Sequence, residues 1–391
     1  MGIFSGSKEK GELVALFDIG SSSVGGALFY LRRSKIPKII FSWREPITLE
    51  KQFNFDKFLS STIQAFDNVA GKVCQAGLGA PKKFFCVLSS PWYASQTRAI
   101  RLEKNTTFVF TAKMADSLIE REIGLFKDEH FDKYENVGSK VLPIELKNMK
   151  TVLNGYNTPN PINQKATELE MTIFFSICGE QFLKKVQAVV AQHFHREDIK
   201  FSSFAMVSFA VARDLFAEQE NFLLIDIGGE VTDISMVKEN ILRNSISFPL
   251  GLNFITREVA NILDCPLHEA RSLISLYKDG HASELALKKL EPLISKVKTE
   301  WLTQFQNSLA NLSHDLSIPA TIFVTVDKDL ADFFGEIIKT EQFSQYTLAE
   351  SKFKIAFLGT EELHDSVIFG EDTARDPSLT LESIYINRFL R

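Results

Sequence analysis

Two short stretches of this chain hold residue types that could handle a phosphate and a metal. Leu13 to Val24 reads LVALFDIGSSSV, and Asn221 to Asp233 reads NFLLIDIGGEVTD. Each is an apolar run ending in Asp-Ile-Gly: Asp18-Ile19-Gly20 and Asp226-Ile227-Gly228. A strand followed by a glycine turn lets backbone N–H groups approach an anion closely. The two carboxylates suit a hydrated Mg²⁺, which prefers acid oxygens and water to a full protein cage. Asp18 and Asp226 are therefore the candidate metal-organising and catalytic residues, acting on Mg²⁺ through water. Gly20, Ser21, Ser22 and Ser23 in the first turn, with Gly228, Gly229 and Thr232 in the second, are candidate phosphate contacts, since hydroxyls and freed N–H groups donate to phosphate. Glu230 could orient a water, as carboxylates do in phosphoryl transfer, but a carboxylate in that turn also repels phosphate. Singly, each turn reads equally well as an ordinary strand end. The pair, about two hundred residues apart, points to two similar domains facing one phosphate chain.

The elements that must hold these turns follow from the apolar pattern. Leu13–Phe17, Ala27–Leu31 and Lys38–Trp43 read as a three-strand meander, and Phe222–Asp226, Ile234–Lys238 and Ile241–Phe248 as its repeat. Phe84–Ser89, Arg98–Leu102, Phe108–Phe110, Leu169–Ile177, Ile322–Val326 and Lys354–Phe357 are further strands. Helices are expected over Phe53–Val73, Ala112–Leu125 with Thr111 as cap, Gln181–His193, Phe254–Leu263, Leu267–Leu276, Leu285–Ser308 and Asp329–Ile338. Ser203–Phe216 is apolar nearly all round, which suits a helix buried between layers. Lys150–Pro161 is turn-rich. Each half is a meander followed by strand and helix units, an α/β duplication.

Composition narrows the class. The 391 residues can build two cores, and 45% apolar with 24% charged residues fits a globular chain. A net charge of -5 without a basic patch argues against nucleic acid. Cys74, Cys86, Cys178 and Cys265 lie far apart and read as reduced thiols, and His193 and His195 lack the companions a zinc site needs. The opening MGIFSGSKEK has no apolar core of a secretory signal, and no apolar run reaches the ~20 residues that span a bilayer. The expectation is a cytoplasmic protein, acting there or peripherally at the inner face of the cell membrane.

The arrangement resembles the actin-like ATPase superfamily, and within it the FtsA and PilM group. Asp18 to Ser23 matches the first phosphate loop, and Asp226 to Gly229 with Thr232 and Asp233 the second. Phe248 to Gly251, then Ile255, Thr256, Val259 and Ala260, tracks the FtsA pattern for the helix behind the second loop. His268 to Arg271 and Asp279-Gly280 fit the same region. The resemblance implies a duplicated, ribonuclease-H-like α/β fold of two lobes with an inserted small α+β SHS2-type subdomain. Its expected divisions are 1–83 and 162–217 for the first lobe, 84–161 for the insertion, 218–380 for the second lobe, and 381–391 for a helix returning to the core. It implies ATP with Mg²⁺ between the lobes, and adds Gly251 and Thr325 to the cofactor-binding residues.

One segment departs from the pattern. Val326-Asp327-Lys328-Asp329 stands where the superfamily places a glycine-rich adenosine turn, and only glycine lets backbone approach a ribose closely. With Glu230 in the second turn, the activity implied is at most a weak ATPase. The helix expected over Leu381–Leu390 suits the actin core better than a membrane-binding tail. The functional reading is an FtsA-like cell-division scaffold that self-associates into dimers or filaments and recruits a tubulin-like division protein. The alternatives are a PilM-like platform that binds a cytoplasmic peptide of a pilus-assembly membrane protein, and a nucleotide-free interaction module of the same fold.

Overall fold

The run Leu13–Phe17 lies inside strand β1 (Glu12–Ile19), where every residue from Leu13 onward is buried. Burial on both faces is what a central strand covered by helices requires. β1 pairs antiparallel with β2 (Ser23–Leu31), which pairs antiparallel with β3 (Lys38–Pro46). β1 also pairs in parallel with β4 (Lys83–Leu88). Between β3 and β4 runs helix α1 (Phe55–Gln75), started by Asn54, whose side chain accepts from the Lys57 N–H at 3.0 Å. The computed structural model describes residues 11–32, 36–134, 140–313, 317–327, 330–340 and 352–390, with the backbone alone for 129–134 and 340. The N-terminal ten residues, Lys328, Asp329 and Arg391 lie outside the described residues.

Between β4 and the next helix of the lobe stands a separate unit: β5 (Ala94–Val109), α2 (Ala112–Tyr134), β6 (Val141–Leu153), β7 (Tyr156–Asn157) and β8 (Lys165–Gly179). These strands form a four-stranded sheet in the order β5-β8-β6-β7. Its own core gathers Ile100, Phe110, Phe126, Leu169, Met171, Ile173 and Phe175. The sheets thus place the unit at 94–179 rather than 84–161. β4 pairs with β1, so it stays in the lobe, while β8 is central to the inserted sheet. A long buried strand such as β8 reads identically in either sheet, so pattern alone does not assign it. β5 is one strand where two were expected, with a bulge between Glu103 and Phe108. β6 was hidden from the pattern because irregularities near Pro143 and Asn148 break the alternation of period two.

The lobe resumes with α3 (Glu180–Phe194), β9 (Ile199–Ser203) and α4 (Phe204–Leu215). The second lobe repeats the first. β10 (Phe222–Ile227), β11 (Thr232–Lys238) and β12 (Ile241–Phe248) form the meander, and β13 (Thr321–Val326) lies parallel to β10 as β4 does to β1. With β14 (Lys354–Phe357) the five-stranded order is β12-β11-β10-β13-β14. Helices α5 (Leu252–Ile262), α6 (Leu267–Lys278), α7 (Glu284–Leu312) and α8 (Ala331–Thr340) belong to this lobe. β15 (Ile368–Phe369) crosses back to complete the first sheet, in the order β15-β3-β2-β1-β4-β9.

The last helix, α9 (Pro377–Phe389), begins at Asp376, which accepts from the Leu379 N–H at 3.0 Å. Leu379 through Asn387 are all buried. Its apolar residues share one core with α4, β1 and β10. An all-round buried helix packs inside a protein rather than on a membrane surface. Among the described residues, no helix is long and apolar enough to cross a membrane.

Candidate functional site

Because the two meanders are equivalent, β1 and β10 end facing each other, and their turns enclose a cleft of about 220 Å³. The cleft is walled by Asp18 and Gly20–Ser23 from the first turn, Asp226–Gly228 from the second, Thr325–Asp327 at the end of β13, and Asp376–Ser378 at the start of α9. Eight expected residues are thereby brought together: Asp18, Gly20, Ser21, Ser22, Ser23, Asp226, Gly228 and Thr325. Trp92, stacked between Phe58 at 4.8 Å and Phe182 at 4.4 Å, donates its indole N–H to the Gly20 carbonyl at 2.9 Å and fixes the first turn.

Asp18 does not stand open to the cleft. Arg44, on β3, donates from Nη2 to Asp18 Oδ2 at 2.6 Å. The same guanidinium donates from Nε to Asp376 Oδ2 at 2.5 Å, from Nη2 to Asp376 Oδ1 at 3.0 Å, and from Nη1 to Ser23 Oγ at 3.0 Å. Gly25 leaves it room, since a Cβ there would lie 2.7 Å from Nη2. Burial works to raise the Asp376 carboxyl, but Arg44 overrides it and holds the group below the usual carboxylate range. Burial would weaken the Arg44 proton, and Asp376 and Asp18 more than reverse this, so Arg44 stays charged. At Asp18 burial prevails and raises the carboxyl in spite of Arg44. Glu382 on α9 is fully buried, and burial followed by the Asp18 charge pushes it well above its ordinary value.

Among the described residues, no arginine bonds to Asp226. Its Oδ1 accepts from Thr325 Oγ1 at 2.7 Å, its Cα neighbour on β13. Burial, then the facing Asp233 carboxylate, push it up to about 8.

Four expected residues lie off the cleft wall. Thr232 is fully buried, donates to the Leu250 carbonyl at 2.7 Å and accepts from the Trp301 indole at 3.2 Å. Gly229 presses on the first turn, so that a Cβ there would lie 2.6 Å from the Ser22 nitrogen. A Cβ on Gly251 would lie 2.4 Å from the Gly228 carbonyl. Glu230 turns away from the cleft: Arg257 grips it with two bonds of 2.6 and 2.8 Å, and Asn253 adds a third at 2.8 Å. The carboxylate fixes Arg257, and the bonds that cross to the first lobe are Arg257 Nε to the Glu50 carbonyl at 2.9 Å and the Glu230 backbone N–H to Ser21 Oγ at 3.0 Å.

These contacts do not fit Mg²⁺–ATP as the turns stand. One carboxylate oxygen of Asp18, Oδ2, is occupied by Arg44. The Leu252 and Asn253 N–H groups at the start of α5 donate to the Gly228 and Gly229 carbonyls at 2.9 and 2.8 Å, so this helix end has no free donor there for a phosphate. The turns touch each other at Gly229, where a Cβ would lie 2.6 to 2.7 Å from the Ser21 and Ser22 backbone.

Arg44, Asp376, Glu382, Arg257 and Glu50 were not among the expected site residues. Asp376 had a readable signal, an Asp before Pro at a helix start; its pairing with Arg44, 332 positions away, had none.

No protein-family model matches this sequence, and no curated protein matches it. Solved structures do. A chain of the PilM-PilN type IV pilus biogenesis complex matches with a TM-score of 0.57 at 12% identity, covering 96% of this chain and 95% of that one. The ethanolamine utilization protein EutJ from Carboxydothermus hydrogenoformans matches with a TM-score of 0.42 at 13% identity, covering 95% and 89%. A Bacteroides thetaiotaomicron protein described as having an actin-like ATPase fold matches with a TM-score of 0.37 at 10% identity, covering 98% and 99%. With its duplicated meanders and facing strand-end turns, the chain has the actin-like ATPase fold.

Proposed function

We propose that this chain is a PilM-like assembly platform, which uses the actin-like fold to hold the cytoplasmic segment of a pilus-assembly membrane protein. One observation carries the reading: the likeness to the pilus-complex chain runs over 96% of this chain, and so takes in the inserted sheet as well as both lobes. The cleft supports a scaffold more than an enzyme. Its metal-organising carboxylate is engaged by Arg44, and its extra carboxylate, Glu230, serves an interlobe clasp. A platform needs rigid lobes and an exposed inserted subdomain, and turnover adds nothing to that task. Cytoplasmic location at the inner membrane face belongs to the same proposal.

The test is direct binding. Fluorescently labelled peptides from the cytoplasmic segments of pilus-assembly membrane proteins are titrated with the purified chain, beside a tubulin-like division protein. Saturable binding of a pilus peptide alone is expected. Binding of the division protein with no peptide binding would replace this reading with the FtsA-like scaffold, whose self-association would then be measured by sedimentation.

A further inference from the structure

An actin-like cleft with paired strand-end aspartates calls for a cation to neutralise them. In this chain a cation is already present, and it is covalently attached. Arg44 reaches across Gly25 from β3 and places its guanidinium among Ser23, Asp18 and Asp376, meeting four oxygen atoms at 2.5 to 3.0 Å. The planar fork of arginine matches paired carboxylates and keeps its charge at any physiological pH. Mg²⁺ demands oxygen ligands at about 2.0–2.1 Å in near-octahedral array. Both Asp376 oxygens and Asp18 Oδ2 are turned onto N–H groups instead.

We propose that Arg44 is the resident cation of this cleft and takes the place of the divalent metal that the two Asp-Ile-Gly turns would otherwise hold. The first turn is thereby fastened to the start of α9, since Asp376 both binds Arg44 and caps that helix. The second turn is fastened to the first by Glu230, Ser21 and Arg257. A cation on a side chain has no dissociation equilibrium, so the closed arrangement of the turns is independent of Mg²⁺ and insensitive to chelators. The inference holds whichever partner the platform takes, so the peptide titration and the experiment below fail separately.

Mn²⁺ is the probe, followed by its electron paramagnetic resonance signal, with the wild type, Arg44→Ala and Asp18→Asn. The wild type is expected to show no saturable Mn²⁺ binding at millimolar concentration. Arg44→Ala is expected to gain one bound Mn²⁺ per chain, and the gain should vanish in the double variant Arg44→Ala/Asp18→Asn. Stoichiometric Mn²⁺ binding by the wild type that is lost in Asp18→Asn would overturn the proposal. So would a folded Arg44→Ala chain that binds no ion. If Arg44→Ala does not fold alone, refolding in Mn²⁺ decides: rescue supports the proposal, and failure of rescue overturns it.

Discussion

Arg44 Nη2 stands 2.6 Å from Asp18 Oδ2, and these two residues belong to neighbouring parts of one meander, 26 positions apart. The pair converts a strand-end carboxylate from an open ligand into half of a buried ion pair. Asp18 is only 5% exposed at its side chain, while Arg44 retains 30%. Partnering of this kind adds little against a hydrophobic replacement of both residues, yet removing one partner strands the other.

Arg44→Met should therefore destabilise the fold by about 3–5 kcal/mol, the usual cost of leaving a buried charge unpaired. Arg44→Lys should recover only part of this, because an ammonium cannot form the fork that spans Asp18 and Asp376. Urea unfolding of the three chains checks the order. An Arg44→Met chain as stable as the wild type would show that the ion pair carries no weight.

Gly229→Ala should loosen the lobes. The added Cβ would come within 2.6 to 2.7 Å of the Ser21 and Ser22 backbone, which has no flexible end to yield. Overpacking of that kind costs about 1–3 kcal/mol. Small-angle scattering should register a larger radius of gyration as the turns part, while the peptide titration stays unchanged if the partner docks on the inserted subdomain.

The Asp226 carboxyl gives the chain a pH dependence of defined sign. Its value rises from the usual 3.8 to about 8 on folding, through burial and then the Asp233 charge. Between those limits the folded chain holds a proton that the unfolded chain has released. Stability from this group is therefore greatest in acid and falls as pH climbs through the window. Asp226→Asn removes the titration. Its melting temperature relative to wild type should rise steadily from pH 5 to pH 8, and a constant difference would count against a raised Asp226.

Tyr385→Phe should weaken the seating of the inserted subdomain. Tyr385 on α9 donates to Glu145 Oε1 at 2.8 Å, and Glu145 Oε2 accepts from the Ser203 hydroxyl at 2.9 Å and N–H at 3.2 Å. Glu145 lies on β6, so one buried carboxyl ties the insertion to α9 and to the end of β9. Loss of one such bond costs about 1–3 kcal/mol. Hydrogen exchange should quicken across β6 and β8 before it does in β1 and β10. Uniform change across all four strands would mean that the insertion is not separately anchored.

The sequence by itself determined the duplicated meanders, the facing Asp-Ile-Gly turns and most helices, because burial on one or both faces imposes a period that single residues reveal. Lys354–Phe357 and Ile241–Phe248 were legible to the residue. Ile386 and Leu390, which interrupt what would be the polar face of a membrane-surface helix over Leu381–Leu390, marked the last helix as internal. Three matters were decided only in the folded chain. Whether β8 joins the lobe or the insertion depends on pairing partners far along the chain. The roles of Glu230 and Thr232 depend on where their side chains turn, and both turn inward to Arg257, Asn253, Leu250 and Trp301. The partner of Asp18 depends on a three-strand meander and a helix that starts 332 residues beyond Arg44. Periodicity records how a residue faces its own element; it carries no record of which distant charge will arrive beside it.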